Sequence, residues 1–207
     1  MEKNRWNEII YEAINKGTLN SSIITVAGKA SKSAIEALLK LCIERGEKDY
    51  MLETVSLLNR KLTQGEIDDF IINSINNKIK NKQCIYLDDY LKISALGASK
   101  KSLEFLISIA VKEGNAENAI KVAKMAKRNL SETEIDNLVG WNGIYDLDHA
   151  IKTAALFGRK LKKEELEKSI KTHCKEISDF KELLKATAML GRKPTYSEVE
   201  LFINNRA

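Results

Sequence analysis

Residues 99–135 read SKKSLEFLISIAVKEGNAENAIKVAKMAKRNLSETEI. Leu103, Leu106, Ile107, Ala110 and Val111 recur three and four residues apart, the apolar face of one helix. Gly114 follows, the residue type that ends a helix most readily. A second run, Ile120, Ala123 and Ala126, is spaced by three, so these side chains share a face. It leads to Arg128, and then Ser131 with Glu134 spells a capping box: the hydroxyl accepts from a backbone N–H three residues on while the carboxylate reaches back to the cap. The stretch is a helical hairpin followed by the start of another.

The junction recurs along the chain. Arg, two residues, Ser/Thr/Lys, two residues, Glu and an aliphatic residue appear as Arg60–Thr63–Glu66–Ile67, Arg128–Ser131–Glu134–Ile135, Arg159–Lys162–Glu165–Leu166 and Arg192–Thr195–Glu198–Val199. Weaker copies begin at Ser31 and Ser99. The starts at 31, 63, 99, 131, 162 and 195 lie 31 to 36 residues apart, the period of stacked helical hairpins.

Each repeat divides into a helix A that opens on the cap and a helix B that ends on the arginine. The pattern predicts A helices at 4–16, 32–45, 64–78, 100–113, 132–140 and 163–175, with a closing one at 196–205. B helices are predicted at 19–29, 47–60, 85–97, 115–128, 146–159 and 178–192. Gly17, Gly46 and Gly114 are expected just after A helices, Gly46 and Gly114 with positive φ. The triplets Leu52-Val55-Leu58, Ile120-Ala123-Ala126, Ile151-Ala154-Phe157 and Leu184-Thr187-Leu190 are expected to face the neighbouring A helices. The widest step contains the polar run Asn76–Lys82, read as a flexible joint near 76–84, and Gly140-Trp141-Asn142-Gly143 is read as an irregular turn. The expected architecture is all-α: a right-handed α-solenoid of about six hairpins plus a C-terminal capping helix, one domain over 1–207.

Helical hairpins of this period, with small residues in B and glycine after A, resemble the tetratricopeptide and pentatricopeptide class of α-solenoids. The resemblance is clearest in Ser102-Leu103-Glu104-Phe105-Leu106-Ile107, Gly114 and Ala119-Ile120. It implies a superhelical scaffold. Phe105 and Ala37 stand where a pentatricopeptide repeat would read a base, and neither can hydrogen-bond a base edge, which argues against base-by-base readout.

Composition bounds the function classes. The 207 residues carry 34 Lys and Arg against 29 Asp and Glu, a net charge of +5, with the two signs interspersed. A pI near 8.9 is mildly basic, short of a dedicated nucleic-acid domain. Three separate cysteines, Cys42, Cys84 and Cys174, form no CxxC pair and fit reduced thiols in a cytoplasmic setting. Glu2, Glu8 and Glu12 interrupt the N-terminal apolar residues, unlike a signal peptide, and no run suits a membrane span.

Two readings compete for the recurring arginines Arg60, Arg128, Arg159 and Arg192. A cation in the last turn offsets the helix dipole, or pairs with the glutamate across the turn. Alternatively the four form a basic ladder for a phosphate backbone or an acidic partner, steps of roughly 10 Å apart. Lys121, Lys152 and Lys185, one per B helix and seven residues before the arginine, would flank that ladder, as would Lys160 and Lys163. Trp141 is a candidate interface anchor. His149 and His173 form no HExxH, and His173-Cys174 are adjacent on a helix and diverge by about 100°. No catalytic, cofactor or metal site is expected. The expected function is a non-catalytic scaffold or adaptor for a protein or peptide. Nucleic-acid binding through the ladder is the alternative, and a structural subunit of a larger assembly a third.

Overall fold

The computed structural model describes residues 2–175 and 180–204. The side chains of residues 2, 3, 141–145 and 173–175 lie outside the description. Among the described residues there are thirteen helices and no strand. The A helices are α1 (Glu2–Lys16), α3 (Lys32–Arg45), α5 (Gln64–Lys80), α7 (Lys100–Lys112), α9 (Glu132–Tyr145), α11 (Lys163–Lys175) and α13 (Tyr196–Asn204). The B helices are α2 (Ser21–Ala27), α4 (Lys48–Leu57), α6 (Leu87–Ser94), α8 (Ala116–Met125), α10 (Leu147–Leu156) and α12 (Phe180–Met189). The chain is all-α, and the alternation follows the repeat.

Met1–Phe105 and Leu106–Ala207 form two compact units. In the first, each A helix packs on the next, α1 on α3 and α3 on α5, while α2, α4 and α6 pack on the A helices they follow and α2 on α4. In the second, α9 packs on α11 and α11 on α13, with α10 against α9 and α12 against α11. This neighbour-to-neighbour packing is what an amphipathic hairpin needs, since one hairpin cannot bury its apolar face alone. The buried residues include the row seven residues after each cap, Leu38, Phe70, Leu106, Leu138 and Phe202, together with small B-helix residues such as Ala123, Ala154 and Thr187. Small residues in B let its backbone approach the A helices closely.

Helix ends account for most departures from the expected boundaries. The B helices stop three residues before the arginine, because the residue just ahead of it turns left-handed: Asn59 (φ 51°), Lys127 (φ 55°), Gly158 (φ 68°) and Gly191 (φ 70°). Arg128, Arg159 and Arg192 then donate their backbone N–H to Ala123, Ala154 and Thr187, five residues back, the signature of a Schellman cap. The arginines therefore sit outside the helices, not in their last turn. Gly46 and Gly114 close α3 and α7 with positive φ, as expected, and Gly17 closes α1 in the same way.

Three other expectations change in detail. Residues 140–143 are not a turn: α9 continues through both glycines to Tyr145. The polar run after Ser74 is helical as far as Lys80, with a turn at Asn81 and left-handed Lys82. Of the B-helix triplets, Val55, Ala123, Ala154 and Thr187 are buried, but Leu52 and Leu184 are exposed.

Candidate functional site

Each recurring arginine closes a clasp on the following A helix. Glu66 Oε2 accepts from the backbone N–H of Thr63 at 2.7 Å, and Thr63 Oγ1 accepts from the Glu66 N–H at 3.3 Å, completing the capping box. The same carboxylate receives both terminal nitrogens of Arg60, Nη2 at 2.6 Å and Nη1 at 2.8 Å, while Nη1 also donates to the Lys61 carbonyl. Arg128 repeats this on Glu134, Arg159 on Glu165 and Arg192 on Glu198, with paired contacts between 2.6 and 2.9 Å. Parallel N–H···O bonds from a planar guanidinium are the strong form of ion pair. At 162 the lysine has no hydroxyl to offer, yet its N–H still donates to Glu165 at 2.7 Å.

A further row of acids stands five residues after each cap, and its Glu36, Asp68 and Asp136 tie neighbouring hairpins together. It comprises Glu36, Asp68, Glu104, Asp136, Glu167 and Glu200, with Asn7 in the same role on α1. Arg60 reaches back to Glu36 at 2.8 Å, and Arg159 to Asp136 at 3.0 Å, where Lys162 joins at 2.7 Å. Where a junction lacks both the arginine and the glutamate, the cap N–H takes the arginine's place and donates directly to the preceding hairpin's side chain. Ser31 donates to Asn7 at 2.8 Å and Ser99 to Asp68 at 2.9 Å. Asn7, Glu36, Asp68 and Asp136 thus receive either a guanidinium or a bare backbone donor from the next junction.

The clasps shift acidities in a consistent direction. The guanidinium beside each glutamate, ahead of the cap hydrogen bonds, holds Glu66, Glu134 and Glu198 at about 2, well below the usual 4.5. Arg60, Arg159 and Arg192 move upward for the reciprocal reason, hydrogen bonds to those glutamates. With side chains only 21 to 36 % exposed, the four guanidinium groups face carboxylates inside their own junctions.

The lysine candidates divide. Lys185 on α12 is paired with Asp148 on α10, and Lys121 donates to Asn118 at 3.3 Å on its own helix. Lys163 lies 3.7 Å from Glu167, an exposed pair worth little. Lys152 and Lys160 are exposed, and Lys152 lines an open groove beside Glu117 and His149. The side chains of Trp141, His173 and Cys174 lie outside the described residues. Burial pushes the Cys42 thiol up to about 11, while Cys84 is exposed. Among the described residues no three His, Cys, Asp or Glu side chains are grouped to hold a metal ion.

Sequence reasoning passed over a set of exposed apolar side chains, present in each unit. Three residues before the arginine, at the exposed end of B helices, stand Leu57, Leu156 and Met189, which are 40, 56 and 44 % exposed. Leu52 and Leu184, five residues earlier, are also exposed. The register was visible: each arginine is preceded at that distance by Leu or Met, Met125 included.

No family model, curated protein or solved structure matches the chain. What it shares with the helical-repeat class is the hairpin period and the packing of each helix on its neighbours. Among the described residues no helix is long and apolar enough to cross a membrane.

Proposed function

We propose that the protein is a non-catalytic helical-repeat scaffold, a tetratricopeptide-like right-handed solenoid that binds a protein or peptide partner in the cytoplasm. The observation that carries this reading is the recurring exposed Leu or Met at the end of the B helices. Exposed apolar side chains in a repeated register favour an interface over plain solvation. In the second unit Leu156, Leu184 and Met189 supply it, on the B helices α10 and α12. The arginines weigh against the nucleic-acid alternative, because each already has a carboxylate on its fork.

The test sets partner binding against polyanion binding. Leu156→Asp with Met189→Asp is expected to abolish capture of the partner from native lysate, with or without nuclease, at unchanged thermal stability. A fluorescent single-stranded oligonucleotide is expected to bind weakly. If the arginines instead track a backbone, the oligonucleotide binds tightly with a log–log salt slope of about −3, from roughly 0.7 per phosphate neutralised. Binding of that kind, lost when Arg60, Arg128, Arg159 and Arg192 become Gln, would replace the scaffold reading.

A further inference from the structure

Position seven after the cap is Leu or Phe in five repeats and is buried in all of them: Leu38, Phe70, Leu106, Leu138 and Phe202. In the sixth, after Lys162, it is Ser169. The serine is 3 % exposed, and its Oγ has no hydrogen-bond partner. Gly140 lies on the adjoining A helix, where an added Cβ would meet no atom within 4 Å. Between these two small residues a cavity of about 340 Å³ opens among α9, α10 and α11, walled by Val139, Leu147, Ala150 and Leu161. Small-molecule sites run from roughly 300 to 1,000 Å³, with apolar walls and a few placed polar groups.

We propose that this cavity binds a compact neutral ring bearing one hydroxyl group, a phenol, whether free or as the tyrosine side chain of a partner. The apolar walls suit the ring, and a ring hydroxyl would satisfy the shielded, unbonded Ser169 Oγ once a turn about χ1 brings it to the cavity that Ser169 lines. A charged ligand is disfavoured. Lys162 is already bound to Asp136 and Glu165 to Arg159, while Lys168 and Glu164, both exposed at the rim, carry opposite signs. The site does not depend on the B-helix face being an interface.

Titration with p-cresol, toluene and N-acetyl-tyrosinamide tests this, read by methyl resonances of Val139, Leu147 and Leu161 and by thermal midpoint. In the wild type p-cresol is expected to shift these methyls and raise the midpoint, and toluene to bind about five-fold more weakly, the size of one neutral hydrogen bond. Ser169→Ala should erase that preference. Ser169→Leu, which restores the residue type of the other repeats, should raise the midpoint and abolish the response to every probe. Shifts with N-acetyl-tyrosinamide support a partner's tyrosine as the source, and shifts with p-cresol alone support a free phenol. A wild type whose methyls ignore p-cresol, or a Ser169→Leu protein that folds and still binds it, would overturn the proposal; the Ser169→Ala comparison keeps the test decisive if the leucine variant fails to fold.

Discussion

Lys127 holds a left-handed backbone at the place where Gly158 and Gly191 stand in later hairpins. A side chain there costs about 1 kcal/mol or more, since Cβ crowds the following carbonyl. Lys127→Gly is therefore expected to stabilise the protein by about 1 kcal/mol in urea unfolding. Gly46 gives the opposite case. Its φ is 73°, and an added Cβ would lie 2.6 Å from Ser74 Cβ and 2.7 Å from Ser74 Cα on α5. Gly46→Ala should cost more than the conformational term alone, because a helix backbone must move, and a loss under about 1 kcal/mol would contradict the close approach. Three of the clasp glutamates, Glu66, Glu134 and Glu198, make stability depend on pH. Their folded-state acidity constants lie near 2 against about 4.5 unfolded. The contribution is complete above about pH 4.5 and is lost as pH falls from there toward 2. Glu66→Gln should flatten that part of the pH–stability curve while lowering stability at pH 7.

At the scale of elements, helix starts and the glycine-closed ends of A helices were legible, and the B-helix ends were not. Thr63, Ser131 and Thr195 announce themselves because a capping box is local, complete within four residues. The B-helix ends were drawn three residues long because the arginine looked like a last-turn cation; Gly158 and Gly191 mark the true end, but Lys127 conceals it. The acids at position five lie in plain view, yet Asp136 and Glu36 meet their arginines more than twenty residues away, beyond any helical spacing. Ser169 escaped notice because a lone serine in an apolar register reads as a tolerated variation. In α9 the two glycines argued for a turn, and packing against α10 and α11 overrides that propensity. A glycine inside a helix still costs about 0.8–1 kcal/mol relative to alanine. Gly140→Ala, with open space for its methyl group, should raise the thermal midpoint by about 2–4 °C if the gain is near 1 kcal/mol.

For the whole molecule, far-UV circular dichroism is expected to report dominant helix with negligible strand, and a sheet signal of even three strands' size would refute the all-α assignment. The period was enough to foresee the number of helices, because hydrophobic spacing and caps agree along the chain. The site was less legible for a physical reason: exposed Leu57, Leu156 and Met189 match core residues in type, and only burial separates the two.

The clasps also set how fast the protein should fold. Arg60 meets Glu66 six residues on and Glu36 twenty-four residues back; Arg159 meets Glu165 six on and Asp136 twenty-three back. Each tie closes a loop no longer than one hairpin, so little chain entropy is spent before a native contact forms. Helical proteins with such local contacts fold in microseconds to milliseconds. Stopped-flow refolding from urea should show its main phase within about 10 ms. A dominant phase of seconds would mean that pairing between distant hairpins, not closure of each junction on its neighbour, limits the rate.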